Sequence, residues 1–481
     1  MPVYRRVLAH AATDPARPAI VHDGAVLTFG DLGATVRARA RALAERFGLR
    51  PGDRVALLAE PHPEFLLTYL AVHALGAACV PLDARAPAAR LDGILRHVSP
   101  AATFSSGGIA AGAARQARYS DLASATGGTA DTEVPAEAVA DILLTTGTTA
   151  EAKAVVLSHR ALASAVEHIN AVVGTRPGDV EVLALPLHHS FGLGRVRCVL
   201  ACGATLVLTP GRMDGARLIE ALVAHRATGF ASVPAGISIL LAGNGRQLGR
   251  VAGQLRYLEL GSSSMPVEQK RALMRLLPET RIAMHYGLTE ASRSAFLCFH
   301  ENPDRLESIG RPSPGVQMRI AGGEGGAGEI EIRGDHLMSG YWQAPERTAR
   351  VLDGGWLRTG DLGRTDADGW FYLEARKDDV INVGGRKVLP GEIEEVLLGH
   401  PAIRECACVG VPDPQGLAGE IVSVWMVPRR PDRARPAFSE LAKLLRTRLE
   451  PYKVPRRFHW TDALPRSASG KVLRHRLRED A

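Results

Sequence analysis

Several features that mark membrane, secreted and nucleic-acid-binding proteins are missing from this 481-residue sequence. No apolar run approaches the about 20 residues that a membrane helix needs, and the N-terminus has no signal-peptide core. The six cysteines show no C-x-x-C spacing, and this usage predicts a reducing, cytoplasmic setting. The net charge of +7 includes no long lysine or arginine run. No nucleic-acid partner is therefore expected, and a nucleic-acid binder stays only as an alternative.

The length of the chain and its rhythm of strands and helices predict an α/β protein with more than one domain. A chain of 481 residues is too long for one core. Between residues 19 and 82, apolar runs alternate with helical spacing, which predicts layered α/β structure. From Ile309, short strands with glycine-rich turns predict a small β-barrel. The segment that begins near Arg376 predicts a small α+β unit, in which Cys406 and Cys408 share one face of a strand.

The segment 141–159 predicts a loop between two buried strands, followed by a helix with Ser158 as its N-cap. Four threonines and a glycine occupy 145–149, and Lys153 follows them. Hydroxyls, backbone N–H groups and one flexible ammonium suit a polyphosphate. A threonine-rich hairpin loop without a ligand is the alternative, and composition alone favours it. The segment is not a P-loop, because Ala152 replaces its second glycine and Ala154 follows the lysine.

Three further motifs carry polar residues that suit a nucleotide, although each motif alone fits an ordinary turn better. In YGLTE, Thr289 could bond a phosphate, Glu290 could hold Mg²⁺ and Tyr286 could stack on a base. In RTGDLG, Asp361 could accept hydrogen bonds from ribose hydroxyls. In PRSASGK, Lys471 could neutralise charge that develops on a phosphorus centre, and a disordered basic tail is the alternative.

The order and spacing of these motifs carry more information than any one of them. The chain contains, in sequence, the segments TTGTTAEAK, PLHHSFG, YGLTE, GEIEIRG, GWLRTGDLG, RKDDVINVGGRKVLPGEIE and PRSASGK. In that order they resemble the adenylate-forming superfamily, which holds acyl-CoA synthetases, adenylation domains of peptide synthetases and beetle luciferases. The resemblance extends from about Leu27 to Leu473 and points to the acyl-CoA synthetase branch.

The resemblance implies a large N-terminal domain and a small, mobile C-terminal lid. It implies a core over residues 1–376, with two layered α/β subdomains and a β-barrel, a lid over residues 377–481, and a hinge at Asp378. It also implies ATP, Mg²⁺ and coenzyme A as ligands. A carboxylate would attack the α-phosphate of ATP to give an acyl-adenylate and pyrophosphate. After the lid rotates, a thiol would attack the adenylate to give a thioester and AMP.

The resemblance also assigns roles to the residues that match the family's motifs. The residues that would hold the phosphates of ATP are Thr145, Thr146, Thr148 and Lys153. Those that would contact the rest of the nucleotide are Gly261, Ser262, Tyr286, Asp361 and Arg376. Those that would act in catalysis are Lys471, Thr289, the Mg²⁺ ligand Glu290, and His189, which guards the acyl pocket. The pocket would be lined by His189, Val233, Ala235, Gly236 and Ser262, and the CoA tunnel by Gly384 and Gly385.

The sequence departs from the family mainly in the threonine-rich loop. Ala150, Ala152 and Ala154 stand where the family usually has glycine, proline and glycine. Alanine at a position of positive φ costs about 1–2 kcal/mol, so these residues could weaken binding of the triphosphate. Two hypotheses follow: a full ligase, or a half-enzyme that forms the thioester from a supplied acyl-adenylate. The retained Lys471 and Glu290 favour the full ligase.

The acyl group is predicted to be bulky, apolar or aryl, and to carry no ammonium. The segment 188–191 has no acid that would pair with an amino acid's ammonium group, and small residues near Gly236 leave room. The sequence shows no carrier-protein segment after Lys471, and the thiol is therefore expected to be that of CoA or of a separate carrier. A non-catalytic acyl-nucleotide-binding protein is a third hypothesis, against which the retained lysine argues. The pathway is left open, with natural-product biosynthesis as one setting, and so is the oligomeric state, a homodimer included.

Overall fold

The computed structural model describes residues 1–107, 115–122, 133–145, 153–209, 215–243, 245–322, 327–415, 419–467 and 471–480. Thr146, Thr148, Ala150 and Ala152 lie outside these residues, so what the sequence predicts for them stays a prediction. The described residues form two compact units. One unit holds the described residues of 1–147, 151–318 and 332–357, and the other holds those of 319–331 and 358–481. The predicted division at residue 376 and the hinge at Asp378 stay predictions.

The helices and strands alternate along most of the chain, and the predicted α/β class is confirmed. The strands are β1 Pro18–His22, β2 Ala25–Thr28, β3 Arg54–Ala59, β4 Ala78–Asp83, β5 Ala102–Ser105, β6 Gln116–Arg118, β7 Val139–Leu144, β8 Ala154–Ser158, β9 Val180–Leu183, β10 Thr205–Leu208, β11 Gly229–Ser232, β12 Tyr257–Leu260, β13 Arg281–Tyr286, β14 Ala295–Cys298, β15 Arg311–Pro312, β16 Gln317–Ala321, β17 Ala327–Arg333, β18 Gly340–Tyr341, β19 Leu352–Asp353, β20 Trp356–Thr365, β21 Phe371–Arg376, β22 Ile381–Val383, β23 Arg386–Val388, β24 Ile403–Pro412, β25 Glu420–Pro428 and β26 Arg457–Trp460. The α-helices are α1 Val3–Thr13, α2 Phe29–Glu45, α3 Pro63–Leu75, α4 Ala88–Val98, α5 His159–Val173, α6 Ser190–Cys202, α7 Gly215–Ala224, α8 Pro234–Gly243, α9 Gly245–Leu248, α10 Val267–Leu276, α11 Pro345–Val351, α12 Pro390–Leu398, α13 Phe438–Arg446 and α14 Arg474–Glu479.

A nine-stranded sheet is the larger of two sheets in the first unit. Its strand order is β15-β14-β13-β12-β11-β9-β10-β1-β2. The six strands from β13 to β1 in this order run parallel to one another. The hairpin predicted at 19–26 is confirmed, because β1 and β2 are antiparallel and the turn residues Asp23 and Gly24 have φ values of 47° and 78°.

A seven-stranded sheet, in the order β18-β8-β7-β4-β3-β5-β6, is the second sheet of this unit. Its strands β7 and β8 lie on either side of the threonine-rich loop, as predicted, and they are antiparallel. Ser158 Oγ accepts a hydrogen bond from Ala161 N at 3.1 Å and caps α5, which confirms the predicted N-cap. Strand β18 pairs with β8 and places Tyr341 opposite Val155. A late segment of the chain thus lies beside the strand that follows Lys153.

The start of helix α2 is determined by its local sequence, but its end is not determined by the spacing of its apolar residues. A capping box starts it: Thr28 Oγ1 accepts from Asp31 N at 3.1 Å, and Asp31 Oδ2 accepts from Thr28 N at 3.2 Å. Its residues Leu32 and Leu43 are fully buried, and each such burial is worth about 1.5–3 kcal/mol. Phe47 continues the apolar spacing in the sequence, but the helix ends at Glu45, and Phe47 packs on the ring of Phe104 instead.

The strands from β16 to β26, apart from β18, form three small sheets. The region in which the sequence predicts a small β-barrel forms a five-stranded sheet in the order β16-β17-β20-β19, with β21 paired to β20. Strands β24, β25 and β26 form a second sheet, and Cys406 and Cys408 pack into one core with Ile393 and Leu441, as predicted. Strands β22 and β23 form a hairpin. Across the parts of both units that the structure describes, none of the helices has the length and apolar character that a bilayer crossing requires.

Candidate active site

Most predicted site residues of the first unit lie in the segments that follow parallel strands. Strands β9, β11, β12 and β13 run parallel, so their carboxyl ends lie along one edge of the nine-stranded sheet. The segments that follow them include 188–189, 233–236, 261–262 and 287–290. Open α/β sheets bind ligands at this edge. The fold therefore brings the predicted acyl-pocket residues and the YGLTE motif to the same edge.

Lys153 and Glu290 both contact Tyr341, a residue that the motifs do not single out. Tyr341 Oη donates a hydrogen bond to Glu290 Oε1 at 2.8 Å. Lys153 Nζ lies 5.5 Å from the centre of the Tyr341 ring, within the range of a cation–π interaction. Thr145 N donates to Lys153 O at 2.9 Å and closes the hairpin. Two of the predicted phosphate- and metal-binding groups are thus brought together through one aromatic side chain.

A tight turn fixes Thr289 and Glu290 after β13. Leu288 N donates to Ala291 O at 2.9 Å, and Ala291 N donates to Leu288 O at 3.2 Å. A Cβ atom on Gly287 would lie 2.5 Å from Arg293 N, so the turn accepts only glycine there. Both Thr289 and Glu290 are half-buried, and Tyr286 at the end of β13 is largely buried.

His189, the predicted guard of the acyl pocket, directly precedes α6. The rings of His188 and His189 lie 4.1 Å apart, and His188 Nε2 lies 3.8 Å from Asp83 Oδ2. Burial lowers the pKa of His188 although Asp83 opposes that shift, so this imidazole is neutral near pH 7. The sequence segment 188–191 contains no acid, but Asp83 comes from β4 of the other sheet.

The predicted acyl-pocket residues lie just after β11 and β12. Val233, Ala235 and Gly236 are half-buried, and a Cβ atom on Gly236 would lie 2.7 Å from Ser232 Oγ. Ser262 has a φ of 78°, in the left-handed region that favours glycine. These residues are small, as the prediction of a roomy pocket requires.

A buried network of charges lies behind this edge, and the motifs do not predict it. Glu259 in β12 forms ion pairs with Arg293 Nε at 3.0 Å and with Arg195 Nη1 at 3.0 Å, and its carboxylate lies 2.8 Å from His285 Nδ1. Burial favours a raised pKa for Glu259, but Arg293 and Arg195 outweigh it and hold the pKa well below its usual value. A glutamate inside the apolar strand YLEL is the signal that reveals this network, because a buried acid needs partners.

Arg293 connects the buried network to two of the site loops. Its Nη1 donates to Ser190 O at 3.0 Å and its Nη2 donates to Phe191 O at 2.9 Å. These carbonyls belong to the first turn of α6, directly after His189. Since Arg293 also follows the YGLTE turn by three residues, one side chain ties the start of α6 to that turn and to β12.

The predicted ribose-binding residues lie together in the second unit. Asp361 in β20 and Arg376 in β21 are cross-strand partners, and Arg376 Nε lies 3.1 Å from Asp361 Oδ1. Asp361 is buried, and its N–H donates to Thr359 Oγ1 at 3.0 Å. Gly360 has a φ of 73°, which the turn before Asp361 requires. The carboxylate and the guanidinium that the sequence assigns to ribose hydroxyls are therefore neighbours.

The residues assigned to the lid chemistry occupy exposed turns of the second unit. Gly384 and Gly385 form the turn between β22 and β23, with φ values of 59° and 81°, which a tight hairpin needs. Lys471 is exposed, and its N–H donates to Ser467 Oγ at 3.1 Å. Asp378 lies in a short 3₁₀ helix after β21, where its carbonyl accepts a hydrogen bond from Arg478 Nη2 at 3.2 Å.

The groups around Glu290 fit a Mg²⁺ ion that is bound together with a nucleotide. Within the described ranges, no three His, Cys, Asp or Glu residues lie close enough to hold a metal ion by themselves. Nucleotide sites often bind Mg²⁺ through one or two carboxylates and the phosphates of the substrate. Thr145 Oγ1, on the loop that leads to Lys153, is buried without a hydrogen-bond partner and is a further oxygen that a ligand could use.

Two family models match the chain and cover most of it. The model described as AMP-binding enzyme matches residues 7–342, and the model described as AMP-binding enzyme C-terminal domain matches residues 392–471. The first match includes the threonine-rich loop, the YGLTE turn and Tyr341. The second ends at Lys471.

Characterised relatives and solved structures agree with this match. A feruloyl-CoA synthase of Amycolatopsis sp. is 33% identical over an alignment of 486 residues, gaps included, and this alignment covers 97% of this chain and 96% of the relative. ATP-bound MatB from Rhodopseudomonas palustris has a TM-score of 0.90 at 28% identity, over 100% of this chain and 99% of that one. The o-succinylbenzoate CoA synthetase MenE from Bacillus subtilis, in complex with the acyl-adenylate OSB-AMP, has a TM-score of 0.87 at 26% identity, over 99% and 98% of the two chains. The chain therefore belongs to the AMP-binding enzyme family, within the adenylate-forming superfamily, and it is an AMP-forming acid–thiol ligase.

Proposed function

We propose that the chain converts a bulky apolar or aryl carboxylic acid to its CoA thioester through an acyl-adenylate. The observation that carries this proposal is the arrangement of Lys153 and Glu290 on the ring and hydroxyl of Tyr341. An ammonium and a carboxylate that can bind a metal ion suit the phosphates of a nucleotide. The relative named feruloyl-CoA synthase supports an aryl acid and CoA as the substrates.

In the first half-reaction, the side chains of this protein act by positioning and by neutralising charge. Lys153 and Thr145, with Thr146 and Thr148, hold the β- and γ-phosphates, and Thr289 contacts the α-phosphate. Mg²⁺ bound through Glu290 would offset the negative charge of the phosphates. Lys471 bridges the substrate carboxylate and the α-phosphate. A carboxylate oxygen of the acid attacks the α-phosphorus, and pyrophosphate leaves with the bonding electron pair.

In the second half-reaction, the lid at residues 377–481 presents a different surface to the adenylate. Rotation about Asp378 exchanges Lys471 for the turn that contains Gly384 and Gly385, and these glycines leave room for the pantetheine arm of CoA. The thiol loses its proton, its sulfur attacks the acyl carbonyl, and AMP leaves. Asp361 and Arg376 hold the ribose, and Tyr286, Gly261 and Ser262 flank the adenine and the acyl group.

A full ligase is proposed in preference to a half-enzyme because Ala154 does not strain the structure. Ala154 lies in β8, buried and paired with Leu144, and its φ is not positive. Of the three alanines that depart from the family, this one therefore fits an extended strand without cost. The effect of Ala150 and Ala152 on ATP binding is a question for experiment.

We expect ATP–pyrophosphate exchange in the presence of a cognate acid, because Lys153, Glu290 and Lys471 are all retained. A panel of apolar and aryl acids is assayed for exchange, and each acid is also supplied as its synthetic acyl-adenylate with CoA. Thioester formation without exchange would replace the proposal by the half-enzyme. The absence of both, with retained nucleotide binding, would replace it by a non-catalytic acyl-nucleotide binder.

We expect the enzyme to prefer 3-phenylpropanoic acid to L-phenylalanine by at least about 100-fold in kcat/KM, because an ammonium buried without a partner costs several kcal/mol. The two acids share the ring and the chain length and differ in one ammonium group. Asp83, the acid beside His188, already accepts a hydrogen bond from Arg85 N at 3.0 Å. Both acids are compared in the same exchange assay. Equal use of phenylalanine would show that an acidic side chain in the pocket pairs with the substrate's ammonium group. That result would exclude the assignment to acyl groups without an ammonium.

We also propose free coenzyme A as the thiol and the cytoplasm as the compartment. Coenzyme A is supported by the relative named feruloyl-CoA synthase. All six cysteines are free in the structure, which suits a reducing compartment. A separate carrier protein as the thiol donor, and a homodimer, stay open alternatives.

A further inference from the structure

A short connecting segment, residues 337–342, is fixed at its start to the turn that carries Glu290. Met338 N donates a hydrogen bond to Glu290 O at 2.8 Å. Leu337 forms an isolated β-bridge with Ala291, the residue after Glu290. The backbone of the proposed metal ligand is therefore held by the connecting segment, independently of the carboxylate.

The same connecting segment is fixed at its other end to the strand that follows Lys153. Ser339 N donates to Val156 O at 2.9 Å, and Trp342 N donates to Ala154 O at 2.8 Å. The residue between the two anchors that faces both functional groups is Tyr341. A single segment thus connects the edge of the nine-stranded sheet to the seven-stranded sheet.

Tyr341 itself has little freedom to move. The backbone N–H of Tyr341 donates to Thr348 Oγ1 at 2.9 Å, and the hydroxyl of Thr348 donates in turn to Ala344 O at 2.9 Å. The tyrosine is 8% exposed. A Cβ atom on the preceding Gly340 would lie 2.9 Å from Thr348 Cγ2, so the backbone packs closely there. The ring and hydroxyl are consequently in defined positions before any ligand binds.

We propose that Tyr341 is a positioning residue for adenylation that holds the ammonium of Lys153 and the carboxylate of Glu290 apart and ready for the nucleotide. Lys153 and Glu290, both within the described residues, form no ion pair with each other. Without Tyr341, the lysine and the glutamate would be free to form an ion pair with each other. Lys153 would then no longer be available to the ATP phosphates, and Glu290 would no longer be available to Mg²⁺. The ring takes the ammonium and the hydroxyl takes one carboxylate oxygen. This inference rests on the proposed function, because it assigns these two groups to ATP and its metal ion.

The variant Tyr341→Phe separates the two contacts, because it keeps the ring against Lys153 and removes the hydrogen bond to Glu290. We expect the Mg²⁺ concentration for half-maximal ATP–pyrophosphate exchange to rise about five- to tenfold, as for loss of one typical intramolecular hydrogen bond. Thioester formation from synthetic acyl-adenylate is expected to stay within about twofold of the parent enzyme. An equal loss in both half-reactions would make Tyr341 merely structural and would overturn the proposal.

Binding measurements test the same proposal without turnover. Calorimetry of ATP binding, with and without Mg²⁺, is expected to show that Tyr341→Phe loses affinity only when Mg²⁺ is present. Tyr341→Leu removes the ring as well and is expected to weaken metal-free ATP binding too. Tyr372→Phe is the matched control, since Tyr372 Oη donates to Asp366 Oδ2 at 3.0 Å in the second unit and should change neither affinity. Unchanged Mg²⁺ dependence in Tyr341→Phe would overturn the proposal.

A double-mutant cycle with Glu290→Gln shows whether Tyr341 acts through the carboxylate. In the Glu290→Gln background, Tyr341→Phe is expected to have no further effect on Mg²⁺-dependent ATP affinity, because the two residues form one unit. Additive losses would overturn the proposal. If none of the tested acids supports ATP–pyrophosphate exchange by the parent enzyme, the proposed function fails. The calorimetric cycle still decides the role of Tyr341 in that case.

Discussion

Replacing Lys471 by alanine is expected to lower acyl-adenylate formation by about 10²- to 10³-fold, as for the loss of one preorganised group that stabilises developing charge. Thioester formation from a synthetic acyl-adenylate is expected to stay within a few fold of the parent enzyme. The difference arises because the lysine serves the step in which the carboxylate and the α-phosphate, both anionic, approach each other.

The backbone around Lys471 suits this role. Ser467 N donates to Lys471 O at 2.8 Å, Lys471 N donates to Ser467 Oγ at 3.1 Å, and Arg466 forms a β-bridge with Val472. An exposed lysine whose backbone is held by these hydrogen bonds can deliver an ammonium to a ligand and withdraw it if the predicted lid rotates. Removal of the side chain should therefore leave these backbone contacts intact.

The experiment compares single-turnover adenylation with thioester formation from the synthetic adenylate in the same preparation. Lys443→Ala is the matched control, because Lys443 is an exposed lysine on α13 of the same unit. It should affect neither half-reaction. If Lys471→Ala lost both half-reactions equally, the lysine would not be specific to adenylation, and if it lost neither, the assignment of the lid would be wrong.

The parts of this fold that follow from the sequence are those that depend on neighbouring residues. The turn at Asp23 and Gly24 is specified within a few residues and requires no knowledge of the rest of the chain. The same holds for the cap at Ser158, and for the hairpin turn at Gly384 and Gly385, where two positive φ values need two glycines. The order of the motifs then gave the family, because spacing over the whole chain restricts the fold far more than any single turn.

The parts that did not follow from the sequence depend on contacts between sheets. Tyr341 reaches Lys153 and Glu290 only because β18 joins β8, a pairing between segments that are far apart in the chain. Asp83 reaches His188 from the other sheet, so the linear segment 188–191 could not reveal an acid there. Long-range pairing carries no local signal in a single sequence, and residues of this kind emerge only from the fold.

Replacing Arg293 by methionine is expected to lower the free energy of unfolding of the first unit by about 3–5 kcal/mol at pH 7, since the change breaks a buried ion pair from one side. Methionine has a similar length and no charge. It leaves Glu259 with Arg195 as its remaining ion-pair partner, beside the imidazole of His285.

The loss is expected to depend on pH in a defined direction. Arg293 and Arg195 outweigh burial and keep the folded-state pKa of Glu259 below its value in the unfolded chain, which is near 4.5. The ion pairs therefore stabilise the folded chain fully above about pH 4.5, and their contribution falls as the pH drops toward the folded-state pKa. The difference between the parent enzyme and Arg293→Met should be largest near neutral pH and should narrow below about pH 4.5.

Urea unfolding followed at several pH values measures this difference, with Arg271→Met as the control. Arg271 pairs with Glu268 at 2.7 Å on the exposed face of α10, where both side chains are more than half exposed, so its loss should cost less than about 1 kcal/mol. A pH-independent deficit in Arg293→Met would show that the lost bonds to the Ser190 and Phe191 carbonyls, and not the pair with Glu259, dominate. Arg293 would then stabilise the start of α6 beside His189 chiefly as a hydrogen-bond donor, and the charge on Glu259 would be balanced by Arg195.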